Sequence, residues 1–166
     1  MTVGRISLLI ESPFRDLLLL MRSVPGEADK QARARSRAAA EPVWFEETRA
    51  RGATRIQQRA LVNSARVGVS GRNIFLRSGA VGKLSSGTPV SSIANAAEFG
   101  IGPSKLIDTR SRKGTAYKRR AGNAFGAPRR GGNVFWPAVK DASARVVSVI
   151  IQTYRRTVFD ALDGKK

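Results

Sequence analysis

The side chains that could do chemistry in this sequence are mostly cations, and the usual catalytic groups are missing. The chain contains no Cys and no His, which excludes a thiolate nucleophile, a Cys-ligated zinc and an imidazole general base. Its carboxylates are few and scattered, apart from the adjacent Glu46 and Glu47, whereas catalytic metal sites generally need clustered ones. We therefore expect a protein that is not an enzyme, with no catalytic residue, no metal site and no cofactor.

The glycine-rich stretch 68–71 is the one segment that suggests a phosphate-binding loop. It reads Gly-Val-Ser-Gly and has neither the Lys-Ser/Thr ending of a P-loop nor the three spaced glycines of a dinucleotide-binding turn. A turn between strands explains it better.

Positive charge is the dominant property of the chain. Thirty Lys and Arg face twelve Asp and Glu, which gives a net charge of +18 and an isoelectric point near 11.7. Self-repulsion at this level opposes folding to a compact state unless a polyanion or an acidic surface compensates it. Contact with nucleic acid is the first explanation. An acidic protein partner and an Arg-rich host composition remain the alternatives.

The segment 101–133 concentrates this charge. It holds nine Lys and Arg and one acid, Asp108, and its apolar residues follow no helical or alternating period, so it is predicted to be a long basic loop. Tyr117 and Phe125 are interleaved with the cations. The loop could face DNA, dock on an acidic protein or be an inert solvent loop. The candidate contact residues are Arg110, Arg112, Lys113, Lys118, Arg119, Arg120, Arg129 and Arg130.

Residues 1–60 are predicted to be helical. Ser12 is a candidate N-cap and Pro13 suits the first helical position. A second helix starts near Glu27, and Pro42 is expected to break or kink it. The apolar runs near the N-terminus are too short for a membrane-spanning helix, which needs about 20 apolar residues. We expect no membrane contact and a chain that is cytoplasmic at synthesis.

The remainder of the chain predicts strands followed by one long helix. Within a β-rich segment 64–100, the runs 66–70 and 73–77 favour a hairpin, and 88–97 is compatible with either a strand or a helix. Residues 137–163 repeat apolar side chains at helical spacing and predict an amphipathic helix. The predicted fold is one α+β domain over 1–166. In it, N-terminal helices and the C-terminal helix pack on a small antiparallel sheet, and 101–133 forms the basic loop.

Two short patches carry a resemblance to a known family. The stretch 93–100, Ile-Ala-Asn-Ala-Ala-Glu-Phe-Gly, resembles the alanine-rich Glu-Phe/Tyr-Gly signature of the tail-component family of long-tailed bacteriophages, which includes proteins of the minor tail protein Z type. The stretch 134–138, Val-Phe-Trp-Pro-Ala, resembles the turn that leads into that family's last helix. Ile101 departs from the family's usual Thr. From the residues alone, Glu98, Phe99, Phe135 and Trp136 are core or subunit-interface anchors.

The resemblance implies a structural virion protein that completes the head-to-tail neck. It would form a ring, a homo-hexamer, between the head connector or adaptor and the tail-tube or terminator proteins. Genomic double-stranded DNA would pass through the ring without sequence-specific contact. Its place would be the virion tail or neck, and the host cytoplasm during assembly. The alternative is a free basic nucleic-acid-binding module of the ribosome-associated or nucleoid type, which shares the charge but requires no ring.

Overall fold

The computed structural model describes residues 24, 26–70 and 73–163, and it is an α+β protein as predicted. The helix expected from Ser12 lies outside the described residues. Within these residues the structure contains four helices, a π-helical turn, two two-stranded sheets and a 3₁₀ turn. They are α1 (Gly26–Arg51), α2 (Arg55–Gln57), the π turn (Gln58–Val62), β1 (Arg66–Val69), β2 (Ile74–Arg77), α3 (Val90–Phe99), β3 (Leu106–Arg110), β4 (Ala116–Arg120), the 3₁₀ turn (Gly122–Ala124) and α4 (Phe135–Leu162).

The described chain forms two compact units. The first comprises 24–44, 67–76 and 143–163, and the second comprises 45–66 and 77–142. The β1–β2 hairpin and the long last helix agree with the predictions for those segments, and the ambiguous segment 88–97 belongs mostly to α3. None of the helices in the described part of the chain is both long and apolar enough to cross a bilayer.

The core of the first unit contains helices whose buried side chains recur at every fourth residue. On α1, the side chains of Ala32, Ser36, Ala40 and Trp44 are fully enclosed. The Ser36 hydroxyl donates to the Ile150 carbonyl of α4 at 3.3 Å. Small side chains at every fourth position let a helix approach its neighbour closely, and residues four apart share one face.

The core of the first unit also contains a buried hydrogen bond between two polar side chains. The Tyr154 hydroxyl, fully enclosed, donates to an Asp29 carboxylate oxygen at 2.7 Å. Arg33, one turn along α1, forms an ion pair with the same carboxylate. Burial, and then the hydrogen bond to Asp29, raises the pKa of the Tyr154 hydroxyl.

Helix α1 continues through Pro42, so the break that was one of the two expected effects of this proline does not occur. Proline removes one helical hydrogen bond, and Pro42 itself is exposed. The neighbouring Ala40 and Trp44 are fully buried. Their packing supports the helical path across the proline, whereas the adjacent Phe45 is 36% exposed.

The core of the second unit forms around the π turn. Thr54 and Gln57 make a reciprocal capping box that starts α2. The chain then widens into the π turn, in which the Asn63 amide donates to the Gln58 carbonyl at 2.9 Å. The core side chains are Ala60, Leu61, Val62, Val90, Ile93, Ala97, Ile107, Ala121, Phe125 and Val134.

The predicted basic loop is partly ordered, and this corrects the expectation for 101–133. Its centre forms the antiparallel strands β3 and β4. Buried and exposed side chains alternate along β3, since Ile107 and Thr109 are buried and Leu106 is exposed. All five residues of β4 are exposed, so the second strand has no apolar face that a sequence pattern could reveal.

Candidate nucleic-acid interface

The β3–β4 hairpin carries most of the predicted basic residues, and its backbone geometry is well defined. Leu106 lies opposite Arg120, and Asp108 lies opposite Lys118. The tight end is closed by the Ser111 amide, which donates to the Thr115 carbonyl at 2.9 Å. A glycine with φ of +87°, Gly114, completes the turn, because residues with a side chain rarely adopt that conformation.

The hairpin is anchored to the body of the second unit along β3. The buried Thr88 hydroxyl accepts the Arg110 amide at 3.2 Å and contacts the Arg110 carbonyl at 3.3 Å. Gly87 lies so close to the hairpin turn that an added Cβ would be 2.5 Å from the Ser111 carbonyl oxygen. Because β3 is held on this side, β4 is the outer strand of the sheet.

Cations project from both faces of this outer strand. Residues directly opposite each other share a face of the sheet, so Lys118 and Arg120 lie on the face of exposed Leu106, and Arg119 lies on that of buried Ile107. Arg119 is nevertheless exposed, since β4 extends beyond the core. Charged residues on a sheet edge also prevent pairing with a strand from another copy.

None of the hairpin cations forms an ion pair with a carboxylate of the described residues, although Asp108 lies opposite Lys118 on the same face. Six of the eight predicted contact residues belong to the hairpin, all are exposed, and no ion pair joins any of them to a described carboxylate. One of these six side chains forms a hydrogen bond with the body of the unit, where the Arg112 Nε–H donates to the Ser85 carbonyl at 3.0 Å. These six are Arg110, Arg112, Lys113, Lys118, Arg119 and Arg120.

The two aromatic rings expected among the cations have different environments. Tyr117 on β4 is 45% exposed, so its ring is accessible beside the cations. Phe125 is 5% exposed and belongs to the core of the second unit. Phe125 is therefore not accessible to a partner, and a single ring is weak support for stacking on single-stranded bases.

Arg129 and Arg130 lie apart from the hairpin strands, in the loop that precedes α4. Both are exposed. The Arg129 amide donates to the Phe99 carbonyl at 2.6 Å, and the Ile101 amide donates to the Gly126 carbonyl at 3.2 Å. The segment 126–136 thus packs on the end of α3, so the two sequence patches that carry the family resemblance meet in the structure.

Glu98 is the centre of this junction. Its side chain is buried, and its carboxylate accepts the backbone N–H groups of Val134, Phe135 and Trp136 at 3.1, 2.8 and 3.1 Å. The first N–H groups of a helix have no partner within the helix. Pro137, the next residue, has no N–H to satisfy. A residue 36 positions away therefore caps the start of α4.

Two glycines make the close approach at this junction possible. Gly100, with φ of +70°, lies against the Ala127 carbonyl oxygen, where an added Cβ would clash with backbone. Gly132, also with φ of +70°, lies against the Glu98 carboxylate. Gly100 follows Glu98 and Phe99 in the sequence because the chain must turn sharply while the carboxylate stays buried.

The aromatic anchors of the junction are buried to different degrees. Phe135 is 6% exposed, whereas Phe99 and Trp136 are half-buried. The Phe135 and Trp136 rings meet edge to face with centroids 5.7 Å apart. Whether the remaining exposed surface of Trp136 meets another subunit stays a prediction.

Sequence reasoning did not identify Arg59, a cation outside the basic segment that contacts the same serine as Arg112. Arg59 on the π turn donates to the Ser85 hydroxyl at 3.2 Å, and Ser85 is also the residue that Arg112 contacts. Neither the charge of Arg59 nor its position in a helical stretch distinguishes it from the other arginines. Only the fold brings it next to the hairpin turn.

Comparison of the chain with protein-family models, with curated proteins and with solved structures found no match. Within 24–163, apart from the gaps at 25 and 71–72, no three acidic side chains come together in a group that could hold a metal ion.

Proposed function

We propose that this protein is a structural, non-enzymatic component of a bacteriophage neck. It would assemble as a ring, a homo-hexamer, between the head connector and the tail tube, with the β3–β4 hairpin directed at genomic double-stranded DNA. The observation that carries the proposal is the hairpin, a sheet edge whose exposed cations have no carboxylate partner among the described residues. Phosphate contacts without sequence readout need only such charge and reach.

The junction at Glu98 supports the family part of the proposal. The two patches that resemble the phage tail-component family are separated by 33 residues or more in sequence, yet they are joined by direct hydrogen bonds. The first patch supplies the buried acid and the second supplies the N–H groups that it accepts, so both patches contribute to the start of the last helix. Their joint presence is then more informative than either patch alone.

Two measurements on the purified protein test the proposal. Size-exclusion chromatography with light scattering, at high salt to remove bound nucleic acid, should show a ring or a species that assembles into rings. Fluorescence anisotropy with labelled duplex DNA should show sequence-independent binding that weakens steeply as salt increases.

The outcomes separate the neck protein from its rival. A ring that binds duplex DNA supports the proposal. A strict monomer that also fails to assemble on the connector, but binds short duplex or RNA tightly, favours the free nucleic-acid-binding module. A ring with no affinity for DNA would contradict the proposal that the hairpin contacts DNA.

A further inference from the structure

A cleft of about 300 Å³ opens beside the π turn in the second unit. Arg59 and Asn63 line one part of it, and Lys83 and Ser85 line another. The wide π turn contributes to this placement, because Ala60, Leu61 and Val62 are all buried while Arg59 and Asn63 on either side remain exposed. π-helical turns are rare and frequently lie at functional sites.

The polar lining of the cleft is suited to an anion. It contains two cations, an amide and a hydroxyl, and no acidic side chain lines it. Among the described residues, the Arg59 guanidinium makes one hydrogen bond, to the Ser85 hydroxyl at 3.2 Å, although a guanidinium has five N–H donors. Lys83 forms no ion pair with a described carboxylate.

The cleft and the hairpin share one contact residue, Ser85. Its hydroxyl accepts a hydrogen bond from Arg59 and its carbonyl accepts one from Arg112, so two guanidinium groups lie beside the same serine. Like charges repel each other, and a neutral serine does not compensate them. An anion between them would.

We propose that this cleft binds a phosphate group of the same DNA strand that the hairpin contacts, with Arg59 and Lys83 as the charged ligands and Asn63 and Ser85 as neutral donors. The inference rests on the proposed function and extends it. The DNA-binding surface then runs from the outer strand β4 through Arg112 at the turn to the cleft, and it includes residues outside the basic segment 101–133.

The salt dependence of DNA binding tests this inference. The double variant Arg59→Gln, Lys83→Gln is compared with the wild type and with Arg155→Gln, Arg156→Gln, a control that removes the same charge from exposed positions of α4. Each phosphate contact contributes about 0.9 to the slope of log K against log salt. We expect the cleft variant to lose about 0.9 from the slope, because the cleft holds one phosphate group, and the control to keep the wild-type slope.

Two further arms make the outcomes distinct. A slope unchanged in the cleft variant, but reduced in a hairpin variant, overturns the cleft and leaves the proposed function intact. If the wild type does not bind duplex DNA, both the cleft proposal and the DNA-binding part of the proposed function are wrong.

A titration with inorganic phosphate at constant ionic strength tests whether the cleft is a site for free phosphate. Thermal stabilisation by phosphate that the cleft variant lacks, together with an unchanged DNA slope, overturns the inference. Circular dichroism must show that all variants fold.

Discussion

The junction at Glu98 and the β3–β4 hairpin belong to the same compact unit. They differ in whether their charged side chains are buried with hydrogen-bond partners or exposed without an ion pair. At the junction one buried carboxylate accepts three backbone N–H groups at 2.8–3.1 Å. On the hairpin six exposed cations have no carboxylate partner among the described residues. The junction uses charge to stabilise the fold. The hairpin keeps its charge available to a partner.

The first unit also contains a buried carboxylate that has hydrogen-bond partners. Asp29 is buried and is held by the Tyr154 hydroxyl and by Arg33. A buried charge without such partners would cost several kcal/mol, whereas exposed cations contribute little to stability. Changes at the two buried carboxylates should therefore affect folding, and changes on the hairpin should affect binding.

The largest loss of stability is expected for Gly100→Ala at the junction. The added Cβ would clash with the Ala127 carbonyl, and φ of +70° is unfavourable for alanine. We expect the free energy of unfolding to fall by about 3–5 kcal/mol, measured by urea denaturation. Gly102→Ala is the matched control, since no atom lies within 4 Å of its Cβ position. Equal effects at the two glycines would contradict the close approach at the junction.

The next largest loss is expected for Glu98→Ala. It leaves three N–H groups at the start of α4 without their acceptor, which should cost about 2–3 kcal/mol in urea denaturation. Glu98→Gln keeps one acceptor oxygen and should cost less. The exposed Glu46 provides the control, and Glu46→Ala should change stability by no more than about 0.5 kcal/mol. If Glu98→Ala behaves like Glu46→Ala, the carboxylate does not hold the junction.

A smaller effect is expected for Tyr154→Phe in the first unit. Loss of the hydroxyl removes its hydrogen bond to Asp29 and should cost about 1 kcal/mol at neutral pH. Burial raises the pKa of Tyr154 in the folded state. The unfolded chain therefore releases this proton first, and stability should fall as the pH rises above about 10.

Urea denaturation of the wild type and of Tyr154→Phe at about pH 9 and pH 11 measures this effect. The difference in stability between the two proteins should shrink or change sign as the pH rises. A difference that stays constant across this range would mean that the hydroxyl ionises as easily in the fold as in the unfolded chain.

The elements that sequence predicted correctly are those with a local signal. The last helix repeats its buried residues at Ala142, Val146, Ile150, Tyr154 and Val158, which is a plain four-residue spacing. The β1–β2 hairpin has β-branched and aromatic residues on both sides of a turn. Such patterns depend only on neighbouring residues.

The elements that were missed depend on distant residues or on side chains that carry no pattern. Strand β4 is fully exposed and is fixed only by pairing with β3. The buried face of α1 is marked by Ala32, Ser36 and Ala40, small residues that resemble the remainder of an alanine- and arginine-rich helix. The partners of Glu98 lie 36 to 38 residues away. The sequence identified Glu98 as an anchor, but its three backbone partners could be found only from the fold.

The most direct test of the central claim is the triple variant Lys118→Gln, Arg119→Gln, Arg120→Gln on strand β4. Duplex DNA binding is measured by anisotropy over a range of salt concentrations, together with urea denaturation. We expect stability to change by no more than about 0.5 kcal/mol and the slope of log K against log salt to fall by about 2.7. A variant that unfolds more readily but binds DNA with the wild-type slope would show that these cations stabilise the fold instead of binding a polyanion.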